Sequence, residues 1–204
     1  MIVLALLTAL PWIALTIDWF LGIRKVHVLK HTEPRLHTYP SLSIVIPALN
    51  EGRALETSLR SVLQQDYPDF ELLVLNDRST DQTDEILERI RKNYLALKVK
   101  TIKELPEGWL GKNNALHIGA QQALGEWLLF TDADVRFEHH AVSDALAYAV
   151  SHEVDHLTAV PHMLAKSPWL KTFVAVFMLL FSFGVLRASF RQQKLMWVWV
   201  RSTC

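Results

Sequence analysis

The sequence predicts an α/β domain built on a mainly parallel sheet with helices on both faces, preceded by an amino-terminal transmembrane helix. Three observations carry this. β-Branched runs alternate with apolar residues at helical spacing through the middle of the chain, each run stops at a polar loop, and the first 23 residues are apolar almost throughout.

The opening stretch "MIVLALLTALPWIALTIDWFLGI" is long enough to span a bilayer and is followed by Arg24, Lys25 and Lys30. It has no basic region before the apolar core and no A-x-A-like site after it, so residues 1–23 read as a retained anchor rather than a removed signal peptide. The positive flank places the domain beyond it in the cytoplasm. Asp18 is the exception in this segment, an ionisable group that must reach the interface or a partner.

A basic linker over 24–40 leads into the domain expected over 41–165. "LSIVIPAL" reads as a strand reaching Pro47, and "EGRALETSLRSVLQQ" sets Leu55, Leu59, Val62 and Leu63 at helical spacing. "FELLVLNDRSTD" repeats the cycle, with Ser79 or Thr80 as the expected cap of the helix "DQTDEILERIRKNY". The strand "KVKTIKEL", the loop "PEGWLGKN", the helix "NALHIGAQQAL" and the strand "EWLLFTD" follow. Beyond it, residues 166–204 form an apolar and basic segment. Within it Thr172 to Leu186 is short for a span and is bracketed by Lys171 and Arg187, which predicts a helix lying at a membrane face.

Charge narrows the partners. The 204 residues carry 21 basic and 21 acidic side chains, a balance that gives no reason to expect nucleic acid. Cys204 is the sole cysteine, which excludes an internal disulfide. Every Asp and Glu lies at or before Asp155, whereas Lys166, Lys171, Arg187, Arg191, Lys194 and Arg201 follow it, a distribution suited to an anionic membrane surface.

The chemistry concentrates at the strand ends. In "LLFTDADVRF", Asp132 and Asp134 are separated by one alanine, and on an extended strand both would point to the same side. A hard divalent cation between them would relieve their repulsion; the plainer alternative is a polar turn. In parallel sheets ligands bind beyond the carboxyl ends of strands, where Pro47 to Glu51, Asn76 to Arg78 and Asp132 to Asp134 would gather. Glu51 also reads as a charge favoured by a helix amino terminus. Lys112 in "GWLGKNNA" is not a P-loop lysine, because Gly108 and Gly111 are too close together and Asn113 follows. Trp109 is placed to pack over that loop. A rival motif, His152, Glu153 and His156 as H-E-x-x-H with His162 beyond, echoes a zinc metalloprotease. It needs helical spacing, yet "DHLTAVP" reads as a strand.

"SIVIPALNE", "ELLVLNDRSTDQT", "GWLGKNNAL" and "GEWLLFTDADV", in this order, resemble the family 2 glycosyltransferases of the GT-A (nucleotide-diphospho-sugar transferase) fold over about Leu42 to Pro161. The subgroup they are most similar to is membrane-associated and acts on lipids, as the ceramide glucosyltransferases and hopanoid- or carotenoid-associated transferases do. The resemblance implies a nucleotide sugar donor, expected to be UDP-linked although the base of a GDP-sugar would offer Asp77 a ring N–H equally, a lipid acceptor, and Mn or Mg. It implies that Asp134 ligates the metal, Asp132 reaches the ribose or the metal, and Asp77 accepts a hydrogen bond from the base. Pro47, Asn50 and Glu51 would line the nucleotide, with Lys112 near the nucleotide or its diphosphate. Asn76 stands where the family usually has an aspartate, and Arg78 where glycine is common.

The family draws its general base from an acidic motif downstream of D-x-D and carries a further Q-x-x-R-W motif; neither is found here. The expectation is therefore a truncated transferase whose donor half is retained and whose catalytic base is missing. The alternative is an inactive, membrane-bound nucleotide-binding fragment. The closing "WVWVRSTC" shows neither helical nor strand periodicity and is expected to be an accident of reading frame, since one encoding of it reads G-V-G-A-F-N-L in another frame.

Overall fold

The structure is a computed structural model that describes residues 2–24, 27–29, 36–52, 54–161, 167–189 and 195–200. Lys25, Lys30, His162, Lys166, Arg191, Lys194 and the last four residues lie outside that set. The chain divides into two compact units, one formed by Pro34–Asp144 and the other by Met1–Glu33 with Ala145–Cys204.

The first unit is a four-stranded parallel sheet with the crossover helices the sequence predicts. Its strands are β2 (Leu42–Ala48), β3 (Phe70–Asp77), β4 (Leu97–Ile102) and β5 (Trp127–Phe130), in spatial order β4-β3-β2-β5. The helices between them are α2 (Leu55–Leu63), α3 (Thr83–Arg91) and α4 (Gly111–Gln122). Side chains alternate across a strand. Val45, Leu73 and Leu75 therefore share one face, where they pack with Ile102 and with Ala115, Leu116 and Ile118 of α4. Ile44, Ile46, Leu72 and Val74 point the other way and are fully buried, as are Leu55, Leu59, Val62, Leu87 and Ile90 of α2 and α3. Right-handed crossovers require this division, because the chain moves outward through α2 and α3 and returns across the sheet through α4. Gly119 sets how close α4 comes: a Cβ there would lie 2.3 Å from Val45 Cγ1 and 3.0 Å from Leu75 Cδ2.

Local chemistry explains where these elements begin and end. Trp127 N–H and Thr131 N–H donate to the Ser41 and Val45 carbonyls, so odd-numbered residues of β2 direct their backbone groups toward β5. Pro47 has no N–H to offer on that side, and β5 has already ended opposite Val45. Neither Ser79 nor Thr80 caps α3. Gln82 occupies the cap position without a side-chain bond, and Asp81 Oδ1 accepts instead from Thr83 N–H at 3.0 Å. Helix α4 starts three residues before the expected position, at Gly111, with Asn114 N–H bonded to the Leu110 carbonyl.

Glu71 ties β3 to the α4–β5 connection. It accepts from Ser43 Oγ at 2.5 Å, Lys98 Nζ at 2.6 Å and Leu124 N–H at 2.7 Å. Burial by itself would raise this carboxyl, but the Lys98, Ser43 and Leu124 hydrogen bonds outweigh it and hold it below its ordinary value of 4.5. A depressed folded pKa means the stabilisation is complete above pH 4.5 and is lost as the pH falls through the lower folded value. Glu71→Ala is expected to cost about 2 kcal/mol at neutral pH, because it strips a charged acceptor from three donors. Urea unfolding across a pH series should show that cost shrinking in acid.

The second unit contains α1 (Ile2–Ile23), a parallel three-stranded sheet of β1 (His27–Val28), β6 (His156–Pro161) and β7 (Leu195–Val200) in the order β1-β7-β6, and α6 (Pro168–Ser189). Helix α5 (Ala141–Ser151) runs into it from the first unit. Leu29 and Tyr148 form a small buried cluster with Ala145 and Leu157. Of the closing segment, Trp197 to Val200 belong to strand β7, which pairs with β6 and with β1, although the sequence shows no strand periodicity there; residues 201–204 lie outside the described residues.

Helices α1 and α6 are joined by Trp19 Nε1 donating to Ser182 Oγ at 2.6 Å. Trp12, Ile13, Ile17 and Phe20 on α1 are exposed, as are Trp169, Phe173, Phe177 and Leu180 on α6. The anchor expected over 1–23 is a helix of 22 residues, yet among the described residues no helix is long and apolar enough to cross a membrane.

Candidate functional site

The strand order reverses direction between β2 and β5, which are neighbours in the sheet, so the loop after β2 and the segment after β5 leave the same edge side by side. Such a switch point opens a crevice with no special arrangement of side chains. The loop after β2 carries Asn50 and Glu51, and the segment after β5 carries Asp132 and Asp134.

The β2 loop is laced to the loop after β3. Asn50 adopts a left-handed backbone with φ of 56°, a conformation asparagine tolerates better than most residues. Its N–H donates to Ser79 Oγ at 3.0 Å, and its Oδ1 accepts from Thr80 N–H at 2.8 Å. Glu51 N–H donates to Thr83 Oγ1 at 3.0 Å, and Gly52 N–H to Asp81 Oδ2 at 3.1 Å. These bonds hold Glu51 at the crevice. Burial and then the negative charges of Asp134, Asp132 and Asp81 raise its carboxyl above the ordinary value.

Asp132 and Asp134 do not continue β5 as an extended pair. The strand ends at Phe130, and a turn follows in which Val135 N–H reaches the Asp132 carbonyl at 3.4 Å and Ala133 is buried. Ser58 Oγ of α2 fixes the far side of this turn by donating to the Val135 carbonyl at 2.6 Å. Both carboxylates are exposed, and both act on Glu51. The alternative of a polar turn and the expectation of a paired acidic site thus describe the same segment.

Asp77 is the last residue of β3 and is buried. Arg78 forks onto it, Nε to Oδ1 at 2.8 Å and a terminal nitrogen to Oδ2 at 3.0 Å. The first residue of α4 abuts the pair, since a Cβ on Gly111 would sit 2.6 Å from Asp77 Oδ2 and 2.8 Å from the Arg78 guanidinium. The next residue, Lys112, pairs with Asp132 Oδ1 at 2.5 Å across the crevice. The ring of Trp109, which is exposed, lies 5.0 Å from that of His117 on α4. Asn76 is buried and donates to Asp84 Oδ1 at 2.6 Å, which places it in the support of the loop rather than at its surface. Glu51, Asp77, Lys112, Asp132 and Asp134 therefore converge on one edge of one unit, whereas Pro47 contributes through its place in β2. Sequence reasoning noted Arg78 only as a departure and did not anticipate Gly111, Asp81 or Thr83.

A hard divalent cation fits this donor set. Asp134 and Asp132 both raise the Glu51 carboxyl, so negative charge gathers at this edge, and among the described residues Lys112 pairs with Asp132. Among the described residues no group of three His, Cys, Asp or Glu is arranged to hold a metal alone, so the remaining ligands would be phosphate oxygens and water.

The zinc-protease alternative fails on geometry. His152 and Glu153 lie in the turn after α5, Glu153 has φ of 52°, and His156 begins β6, so no helix carries the motif. His152 stacks on Tyr148 at 4.0 Å instead.

Residues 43–179 match the family model described as Glycosyl transferase family 2. The chain belongs to glycosyl transferase family 2. Among its relatives, the 4,4'-diaponeurosporenoate glycosyltransferase of Staphylococcus aureus strain N315 is 31% identical over 161 residues, covering 78% of this chain and 41% of the relative. That of strain bovine RF122 / ET3-1 is 32% identical over 149 residues, covering 72% and 38%. The chain spans about two fifths of the length of these family 2 relatives. In structure it is similar to S. aureus TarS 1-349 in complex with UDP-GlcNAc, with 31% identity and a TM-score of 0.52 over 63% of this chain and 37% of that one. The mannosyltransferase PcManGT from Pyrobaculum calidifontis, in complex with GDP-Man and Mn2+, shares the fold, with 23% identity and a TM-score of 0.62 over 76% of this chain and 46% of that one.

Proposed function

We propose that this family 2 chain binds a UDP-sugar together with Mn or Mg and presents the sugar to a lipid acceptor at a membrane. The observation that carries the reading is the convergence of Asp77, Lys112, Asp132, Asp134 and Glu51 at the strand-order reversal. In this reading Asp77 accepts a ring N–H of the base, and the main-chain loop of Asn50 and Glu51 walls the nucleotide. Lys112 leaves Asp132 to place its charge on the diphosphate. Asp134 and Asp132 would hold the metal, whose chemistry is to neutralise the departing diphosphate. TarS, a structural relative above 30% identity, is described with UDP and with UDP-GlcNAc, which supports UDP over other nucleotides.

Membrane attachment and a lipid acceptor are supported by the exposed apolar residues of α1 and α6 and by the basic, acid-free stretch after Asp155. Arg24, Lys25 and Lys30 after α1 favour the cytoplasmic side.

A thermal-shift panel tests the donor reading. A ligand bound only by the folded state at a hundred times its Kd adds about 2.7 kcal/mol of stability, so UDP with Mn should raise Tm by about 5 °C. GDP should give less. An equal rise with chelator in place of Mn rules out a metal-dependent donor site.

A further inference from the structure

We propose that Arg78 is a gate on the base-binding subsite, occupying Asp77 in the free chain and releasing it when nucleotide binds. This rests on the reading that Asp77 receives the base. The Asp77 side chain is only 4% exposed, and both its oxygens are already taken by the Arg78 fork at 2.8 and 3.0 Å. Gly111 abuts the same pair so closely that a methyl group could not be added between them. With the fork on both oxygens and the side chain 4% exposed, a ring N–H has almost no approach to the carboxylate, so something must move before Asp77 can serve. Gly111 is the first residue of a helix held on the sheet at Gly119, and Asp77 sits within the β3–β4 ladder. The Arg78 side chain is the movable part: it is 36% exposed and has solvent to swing into.

The backbone fits the same device. Arg78 has φ of 57° and is pinned there by its N–H bond to the Ile102 carbonyl at 3.1 Å. Glycine occupies that left-handed region at ease and an arginine does so at a cost, so the fold holds a strained residue at the one place where its side chain covers Asp77. The fork also supplies the counter-charge that a carboxylate this buried needs while the site is empty. When the base donates its N–H to Asp77, that need falls and Arg78 can leave. Apparent affinity is then the intrinsic affinity reduced by the small fraction of chain with Arg78 open.

Calorimetric titration of UDP in the presence of Mn tests this with the full chain and four variants, Arg78→Ala, Arg78→Gly, Arg78→Lys and Asp77→Ala. Arg78→Ala is expected to bind UDP about tenfold more tightly than the unsubstituted chain, with Arg78→Lys between them because lysine keeps the charge and loses the fork. Should the alanine variant not fold, Arg78→Gly carries the test, since glycine suits φ of 57°. Binding in both the alanine and glycine variants that equals or falls below that of the unsubstituted chain overturns the gate. If Asp77→Ala also weakens binding in that case, the base assignment stands and only the gate is lost. If Asp77→Ala binds UDP normally, the base assignment fails and the gate fails with it. The free Arg78→Ala chain should also melt lower while its UDP-induced rise in Tm grows, a combination that a purely structural arginine would not produce.

Discussion

Replacing Asp134 with alanine is expected to weaken UDP binding in Mn by a hundredfold or more and to erase the difference between Mn and chelator, as measured by calorimetry. The magnitude follows from how little the chain offers a metal. Among the described residues no set of three His, Cys, Asp or Glu is assembled, so each carboxylate after β5 would be a large part of the protein's share of the ligands. Loss even of groups that merely support a ligand costs about 10- to 100-fold in metal affinity, and loss of a ligand costs more. Asp134 is also the freer of the two. Lys112 pairs with Asp132 at 2.5 Å, and no lysine, arginine or histidine is paired with Asp134 among the described residues. Removing it has a second signature. After burial, Asp134 is the largest influence raising the Glu51 carboxyl, so that carboxyl should titrate closer to its ordinary value of 4.5 in the variant. Carbon-detected NMR of Glu51 reads this without nucleotide. An unchanged UDP affinity in Asp134→Ala would remove the acidic pair from the donor site.

The parts of this site that were legible in the sequence are those fixed by local periodicity. Strands β2 and β3 announce themselves because buried parallel strands are continuous apolar runs, β5 carries a similar apolar run although Leu128 and Phe130 of this edge strand are exposed, and a polar residue directly after such a run has to lie at the carboxyl edge. Asn50, Asp77 and Asp132 could be placed there before any contact was known. The hidden part depends on bonds between residues far apart in the chain. Asn50 accepting from Thr80 N–H and Glu51 donating to Thr83 Oγ1 span about 30 residues, and no window of sequence reports them. Arg78 on Asp77 joins adjacent residues, yet it needs φ of 57°, which an arginine does not advertise. Helix α4 began early because "GKN" carries no apolar periodicity, and its start is decided by Gly111 fitting against Asp77. Strand β7 was missed for the opposite reason: "WVWV" is apolar on both faces, and its pairing with β6 and β1 makes it a strand.

Gly119→Val is expected to be strongly damaging to the first unit, costing about 3 kcal/mol or more in urea unfolding and loosening UDP binding in whatever fraction remains folded. A Cβ at this position would meet Val45 Cγ1 at 2.3 Å and Leu75 Cδ2 at 3.0 Å, and valine adds two methyl groups with few rotamers to choose from. Neither neighbour can give way easily, since Val45 and Leu75 are buried in the central strands β2 and β3. Overpacking of this kind typically costs 1–3 kcal/mol, and a branched side chain on a helix pressed to a sheet belongs at or beyond the upper end of about that range. The alternative to strain is outward movement of α4. That movement would reach the site, because Gly111 and Lys112 lie on the same helix about 12 Å away at a rise of about 1.5 Å per residue. Lys112 would be drawn from Asp132, and Gly111 would no longer close on Asp77 and Arg78. Gly119→Ala should show the graded version, with a smaller loss of stability and a measurable rise in the Kd for UDP. A Gly119→Ala chain with unchanged stability and unchanged UDP affinity would mean that α4 does not set the position of Lys112.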